Sequence, residues 1–185
     1  MRLFIAATFP EAATRPLNER VARVKSRLPH AAWVRAEAQH LTFAFLGEQE
    51  EDALLPKLTP LVESALASVP RFDASLRGCG FFPNSRRARV GWVGAEPREK
   101  FVEVAETIRG AVKRAGVTLD SVDFKPHLTL MRIRDAWPPA SIATFESALG
   151  DYCSTPFALD EVTLYSSRLN PGGAIHTPIH RFPLA

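Results

Sequence analysis

The sequence predicts an α+β fold, and three observations carry that expectation. Strand-like and helix-like segments mix without the regular alternation of a doubly wound sheet. The order of segments met in the first half recurs after Gly116. Finally, 185 residues, 46% hydrophobic and 23% charged, suffice for one sizeable core or two small lobes sharing a core, but not for two large independent domains. Residues 1–185 are read as one domain, with no linker and no low-complexity segment.

The apolar run Leu3 to Phe9, ended by Pro10, reads as a buried strand feeding a helix that begins near Glu11. Leu17, Val21, Val24 and Leu28 recur at three- and four-residue steps on that helix, giving one apolar face before Pro29. A brief extended piece at Trp33-Val34 precedes a stronger strand from His40 to Leu46, stopped by Gly47. From Asp52 to Val69 the pattern is helical, with Leu54, Leu58, Leu61, Val62 and Leu66 facing inward despite Pro56 and Pro60. Strands follow at Phe72 to Phe82 and Arg89 to Val93, around the turn residues Pro83-Asn84-Ser85. Within the first of them, Gly78-Cys79-Gly80 marks a strand irregularity rather than an active thiol. An amphipathic helix spans Glu99 to Ala115 and ends at Gly116, a suitable C-terminal cap. Then come a strand from His127 to Ile133, a helix from Pro139 to Leu149, a strand from Phe157 to Tyr165, a turn at Asn170-Pro171-Gly172-Gly173 and a last strand from Ala174 to Phe182.

A net charge of +3, a pI of about 9.1 and a mean hydropathy of -0.06 describe a mildly basic globular chain. That suits an anionic ligand but falls short of a surface that coats nucleic acid. Cys79 and Cys153 lie far apart, without metal-type spacing, and read as buried small hydrophobes in a reducing compartment. The N-terminal apolar run meets Pro10 and Glu11 before a signal-peptide core is complete, and no later run is long enough for a bilayer. A cytoplasmic monomer without a membrane partner is expected.

Two matching tetrapeptides stand out, His40-Leu41-Thr42-Phe43 and His127-Leu128-Thr129-Leu130, each inside an apolar strand. Side chains alternate faces along a strand, so each motif presents one imidazole and one hydroxyl on one side and anchors the other side in the core. A single His-x-Thr is a weak signal, because a strand histidine is usually structural. Two near-identical copies among five histidines are hard to ascribe to packing, which any β-branched residue would satisfy. A cyclic phosphodiester needs a base for the attacking water, an acid for the leaving ribose oxygen and donors for the phosphoryl oxygens. Histidine takes either proton role near neutral pH, and Thr42 and Thr129 would supply donors. Hydroxyls are poor zinc ligands, and neither motif holds a second histidine or carboxylate at metal spacing, so no metal is expected. No Gly-x-Ser-x-Gly elbow is present for a serine nucleophile.

At these residues the sequence resembles the two-histidine phosphoesterase superfamily, specifically the bacterial and archaeal RNA 2′,3′-cyclic phosphodiesterases historically named 2′-5′ RNA ligases. The likeness runs from Leu3-Phe4-Ile5-Ala6 through Trp33-Val34, His40-Leu41-Thr42 with Phe45-Leu46-Gly47, Phe82-Pro83, Val90-Gly91-Trp92-Val93-Gly94, and Pro126-His127-Leu128-Thr129-Leu130 with Arg132, to Val162-Thr163-Leu164-Tyr165-Ser166-Ser167. It implies a bilobal pseudo-symmetric fold, two antiparallel sheets flanking a central cleft with helices outside. It further implies hydrolysis of 2′,3′-cyclic phosphate ends of RNA or nucleotides to 2′-phosphates without a cofactor. His40 and His127 become the catalytic pair, His127 as base toward water and His40 as acid toward the 3′ oxygen, with Thr42 and Thr129 on the phosphate.

Arg132 matches an arginine frequent in the family, yet its odd offset from His127 puts it on the opposite face of an ideal strand unless a bulge intervenes. Phe9, Trp33 and Phe82 are candidates to stack on a base at the cleft rim. Arg86, Arg87 and Arg89 form the densest basic cluster, by default a solvated loop. The chain departs from the family at Arg35-Ala36-Glu37-Ala38-Gln39, where a Pro-Glu pair is usual, at Phe43, and at His176, which replaces a tyrosine. Equal strand parity predicts that His176 and His180 both face solvent. Ligation of 2′,5′ ends in the same site, and a binding module without turnover, are the competing readings.

Overall fold

The structure, a computed structural model, describes residues 1–120, 123–170 and 173–185. In chain order the elements are β1 (Arg2–Ala7), α1 (Glu11–Lys25), β2 (Ala32–Trp33), β3 (Leu41–Glu48), α2 (Glu51–Leu66), β4 (Phe72–Phe82), β5 (Val90–Glu96), α3 (Arg98–Arg114), β6 (His127–Arg132), α4 (Pro139–Leu149), β7 (Phe157–Leu159), β8 (Glu161–Asn170) and β9 (Gly173–Pro183). The strands form two antiparallel sheets, one in the order β3-β1-β8-β9 and the other in the order β2-β6-β5-β4-β7. This is the α+β architecture that the mixed pattern predicts, with one His-x-Thr strand in each sheet.

The elements form where alternation and helical spacing place them. Strand β1 is buried on both faces from Leu3 to Ala7, as befits a central strand of its sheet. Ala13, Leu17, Val21 and Val24 turn one stripe of α1 inward, and α3 buries Phe101, Val104, Ala105, Ile108, Ala111 and Val112. Phe101 is fully buried. Its ring stacks at 6.3 Å on Phe43 of β3 and meets Phe72 of β4 edge-on at 5.2 Å. One apolar cluster therefore reaches from the first sheet to the second, and Phe43 is clamped from behind on the strand that carries Thr42 on its other side.

Two expectations fail. The apolar run from Phe157 to Tyr165 is two strands: β7 pairs with β4 of the second sheet, and after Asp160 the chain passes to β8, which pairs with β1 of the first. Hydropathy reports burial and not the identity of the hydrogen-bonded neighbour, so a continuous run hides the change of sheet. Cys79 is half-buried and Cys153 exposed, both as free thiols, rather than two buried hydrophobes. Cys153 follows α4 and pairs through an isolated bridge to Arg77. The irregularity expected at Gly78 is real: its φ is +64° and the β4–β5 register shifts there. Residues 171 and 172 of the expected turn lie outside the described residues. No helix among the described residues is long and apolar enough to cross a membrane.

Replacing Phe101 by Ala removes the ring that joins the two sheets. Urea denaturation is expected to show a loss of about 3–5 kcal/mol; a loss under about 1 kcal/mol would mean that the clamp behind Phe43 is built elsewhere.

Candidate active site

His40 stands immediately before β3 and His127 opens β6, and these two strands pack against each other across the sheets. A short 3-10 turn, Ala36–Ala38, aims the Ala38 carbonyl back at His40, whose Nδ1 lies 2.8 Å from that oxygen. The second site repeats the device, with Nδ1 of His127 2.6 Å from the Lys125 carbonyl. A carbonyl only accepts, so in each ring Nδ1 carries the proton and donates it, which leaves Nε2 of the neutral ring as an acceptor. Gln39, buried between Ala38 and His40, exchanges two hydrogen bonds with Asn18 of α1, at 3.2 and 2.7 Å. The approach to the first histidine is thereby tied to a helix.

Bulges decide which side chains share the cleft. On β3 the register passes from Thr42 opposite Ala6 to Ala44 opposite Ile5, so Phe43 is the extra residue. On β6 it passes from Thr129 opposite Trp92 to Met131 opposite Gly91, so Leu130 is extra. Each motif thus carries its bulge directly after its threonine. The one on β6 restores Arg132 to the side of His127 despite its odd offset, and the charge of Arg132 acts on both imidazoles.

Both imidazoles are half-buried and hold their protons less readily than an ordinary histidine of 6.5. Burial is the main cause in each ring, partly opposed by the carbonyl bond that favours the charged form. For His40 the charges of His176, Arg132 and His127 push in the same direction as burial; for His127 Arg132 does. The packing of β3 against β6 brings the two motifs near each other. Thr42 and Thr129 are half-buried two residues further along each strand.

Aromatic rings line both walls. His40 lies 5.0 Å from Phe4, which stacks on Tyr165 at 5.3 Å, and 5.0 Å from His176. His127 meets Phe82 edge-on at 4.8 Å, and Phe82 leans on Trp92 at 5.2 Å. The indole needs Gly80 beneath it, since a Cβ there would come within 2.4 Å of Trp92 Cζ2. Of the three aromatic candidates the structure brings only Phe82 to a histidine. Phe9 packs on Phe157 at 5.2 Å, and the ring of Trp33 receives the Lys25 ammonium at 5.5 Å. In the basic loop, Asn84 accepts from the backbone of Arg86 and Arg87, and Arg89 donates to the Arg134 carbonyl.

The expectation that His176 and His180 face solvent together is overturned for His176. The β8–β9 register moves from His180 opposite Leu164 to Pro178 opposite Tyr165, leaving Ile179 extra. That bulge breaks the shared parity. His180 turns to Glu63 of α2 at 2.8 Å, whereas His176 packs on Phe4 and His40. Sequence reasoning therefore missed His176, Phe4 and Trp92 as residues of the site; the departure from the family's tyrosine was the one signal for the first of them.

Among the described residues no three His, Cys, Asp or Glu side chains converge as a metal-ligand set. Burial, and secondarily Glu146, push the Cys79 thiol up to about 12, so it stays protonated and unreactive. A hollow of about 660 Å³ runs along α3 past Arg98, Glu103, Arg109 and Lys113. It contains neither histidine.

A family model described as the 2′-5′ RNA ligase superfamily matches residues 10–171. The RNA 2′,3′-cyclic phosphodiesterase of Thermotoga maritima is 29% identical, covering 97% of this chain and 94% of its own. That of Thermus thermophilus is 32% identical, covering 100% and 90%. Among solved structures, TT0787 of Thermus thermophilus superposes with a TM-score of 0.82 at 30% identity, over 100% of this chain and 98% of its own. E. coli LigT complexed with 3′-AMP gives 0.73 at 27% identity, over 99% and 97%.

The imidazoles also make stability depend on pH. His40, His127 and His176 are all held below 6.5, mainly by burial. Below 6.5 the unfolded chain binds protons that the folded protein resists, so their contribution is full above 6.5 and is lost as pH falls toward the folded midpoints. The urea midpoint is expected to drop between about pH 7.5 and about pH 5.5, and less steeply in His40→Phe. Equal slopes in both proteins would show that His40 titrates in the fold as it does in the unfolded chain.

Proposed function

The chain belongs to the 2′-5′ RNA ligase superfamily, and on that premise we propose that it is an RNA 2′,3′-cyclic phosphodiesterase working with His40 and His127 as a proton-transfer pair. The observation that carries the reading is the matched tether of the two rings, Nδ1 on a main-chain carbonyl at 2.8 and 2.6 Å, with neither Nε2 hydrogen-bonded among the described residues. Two equivalent imidazoles, each with one nitrogen committed and one available, suit a reaction that needs one base and one acid on opposite sides of a phosphorus.

Neutral His127 accepts a proton from water at Nε2 as the water oxygen bonds to phosphorus. The bond from phosphorus to O3′ breaks in line, and protonated His40 gives its Nε2 proton to O3′. The products are a 2′-phosphate and a free 3′-hydroxyl; His127 ends protonated and His40 neutral, and exchange with solvent resets the pair. Thr42 and Thr129 donate hydroxyl hydrogens to the non-bridging oxygens, and Arg132 faces the same anion. Phe82 offers an apolar surface to a nucleoside beside His127. A ribose hydroxyl in place of water would run ligation through the same groups. The reading takes the protein as a monomer acting in the cytoplasm on RNA or nucleotide ends.

His40→Ala and His127→Ala are each expected to lower kcat on a 2′,3′-cyclic nucleotide by ~10²–10⁴-fold, with wild-type turnover unchanged by EDTA and a 2′-phosphate identified by phosphorus NMR. Loss of activity with chelator, or full activity in either variant, would sink the mechanism. The assignment of roles has its own test. With sulfur replacing O3′ the leaving group needs no acid, so His40→Ala should recover most of its loss while His127→Ala does not; the opposite recovery would exchange the two roles.

The pH dependence follows from the surroundings. kcat/KM reports the free protein, in which both imidazoles titrate below 6.5. A bell-shaped profile with its optimum on the acid side of 6.5 is expected, and an optimum well above it would contradict the burial of the pair.

A further inference from the structure

His176 contacts His40 without belonging to either motif. It extends from β9 beside Ser167 of β8, and its ring stands nearly perpendicular to that of His40, at 81° with centroids 5.0 Å apart. Its other flank meets Phe4 at 77° and 4.9 Å. Phe4 also touches His40, so the three rings form a closed triangle in which each fixes the planes of the other two. Nδ1 of His176 is buried and without a hydrogen-bond partner among the described residues. An N–H buried without an acceptor is costly, so the neutral ring carries its proton on Nε2.

We propose that His176 is a positioning residue for the reaction, holding the His40 ring edge-to-face and opposing its protonation by its own charge, so that the two imidazoles titrate as one coupled pair. Two cations with centroids 5.0 Å apart in a groove walled by Phe4 and Tyr165 repel strongly. A proton on His176 therefore makes a proton on His40 harder to hold and easier to give away. His127 and Arg132 of β6 act on His40. From β1, Arg2 shares the row of Ser167 and His176, but it is engaged by Glu48 at 3.5 Å. Phe4 contributes packing and no charge.

This inference rests on the proposal that His40 moves the proton, yet its first test needs no substrate. In protein with ¹³C-labelled histidine, assigned with His40→Ala and His176→Phe, the ring signals of His40 and His176 should each show two inflections in a pH titration. In His176→Phe, which keeps a ring of similar size and removes the charge, the His40 midpoint should rise by about one pH unit and lose the inflection it shares with His176. The second test is turnover. His176→Ala should lower kcat by about tenfold or more through a loosened His40 ring. His176→Phe should recover most of that loss, while the limb of the pH profile that follows His40 moves upward in both variants.

Independent one-step titrations in the wild type, or an unmoved His40 midpoint in a folded His176→Phe protein, would overturn the coupling. Wild-type kcat in His176→Ala would overturn the positioning. If the titrations are coupled but the wild type turns over no cyclic phosphate, the phosphodiesterase reading falls and the coupling stands.

Discussion

A main-chain carbonyl can accept a hydrogen bond but cannot give one, and the working of the cleft depends on that restriction. By accepting from Nδ1 of His40 and of His127, the Ala38 and Lys125 carbonyls fix the tautomer of both rings and leave Nε2 as the nitrogen available for proton transfer. The backbone that makes these bonds has itself to be held. On the first side a 3-10 turn and the buried Gln39–Asn18 pair hold it. On the second, the Pro126 carbonyl just before His127 accepts from the backbone of Ala95. Burial of Leu41, Phe43, Leu128 and Leu130 then keeps each strand from rotating its imidazole out of the groove.

The same burial that gives precision disfavours charge. A half-buried imidazole between aromatic rings is poorly solvated as a cation, so the cleft rests with its histidines largely neutral near pH 7. Only the acid must be charged for the reaction. On the proposed mechanism, a phosphodiester anion offsets the desolvation of one imidazolium by its own charge. Arg132 works against that protonation while it attracts the anion, and its exposure limits both effects.

The sequence was most legible where a single local rule governs. Period-two alternation around His40 and His127 identifies the facing imidazoles and hydroxyls, and helical spacing places α1, α2, α3 and α4 within a few residues. What stayed hidden is what hydrogen-bond register adds. Phe43, Leu130 and Ile179 are each one extra residue in a ladder, and no composition marks them as such, since all three are ordinary apolar strand residues. Yet the bulge at Leu130 brings Arg132 to the histidines, and the one at Ile179 sends His176 and His180 to different surroundings. The passage of the chain between sheets at Asp160 escapes for a related reason, because burial looks the same whichever neighbour supplies the hydrogen bonds.

Pseudo-symmetry gives the cleft two chemically equal groups, whereas hydrolysis needs two unequal ones. The tetrapeptides cannot supply the difference, since each holds the same histidine, threonine, carbonyl tether and bulge. It comes from strands that share no sequence correspondence. On one wall, β9 sets a third imidazole against His40; on the other, Phe82 of β4 and Trp92 of β5 stand against His127, kept in place by the missing side chain of Gly80. An ionisable neighbour makes a protonated ring a stronger donor, and an apolar neighbour leaves a neutral ring an undisturbed acceptor. On the proposed mechanism, these unequal walls are the reason to assign the proton donor to His40 and the acceptor to His127, a division of labour written outside the repeated motif.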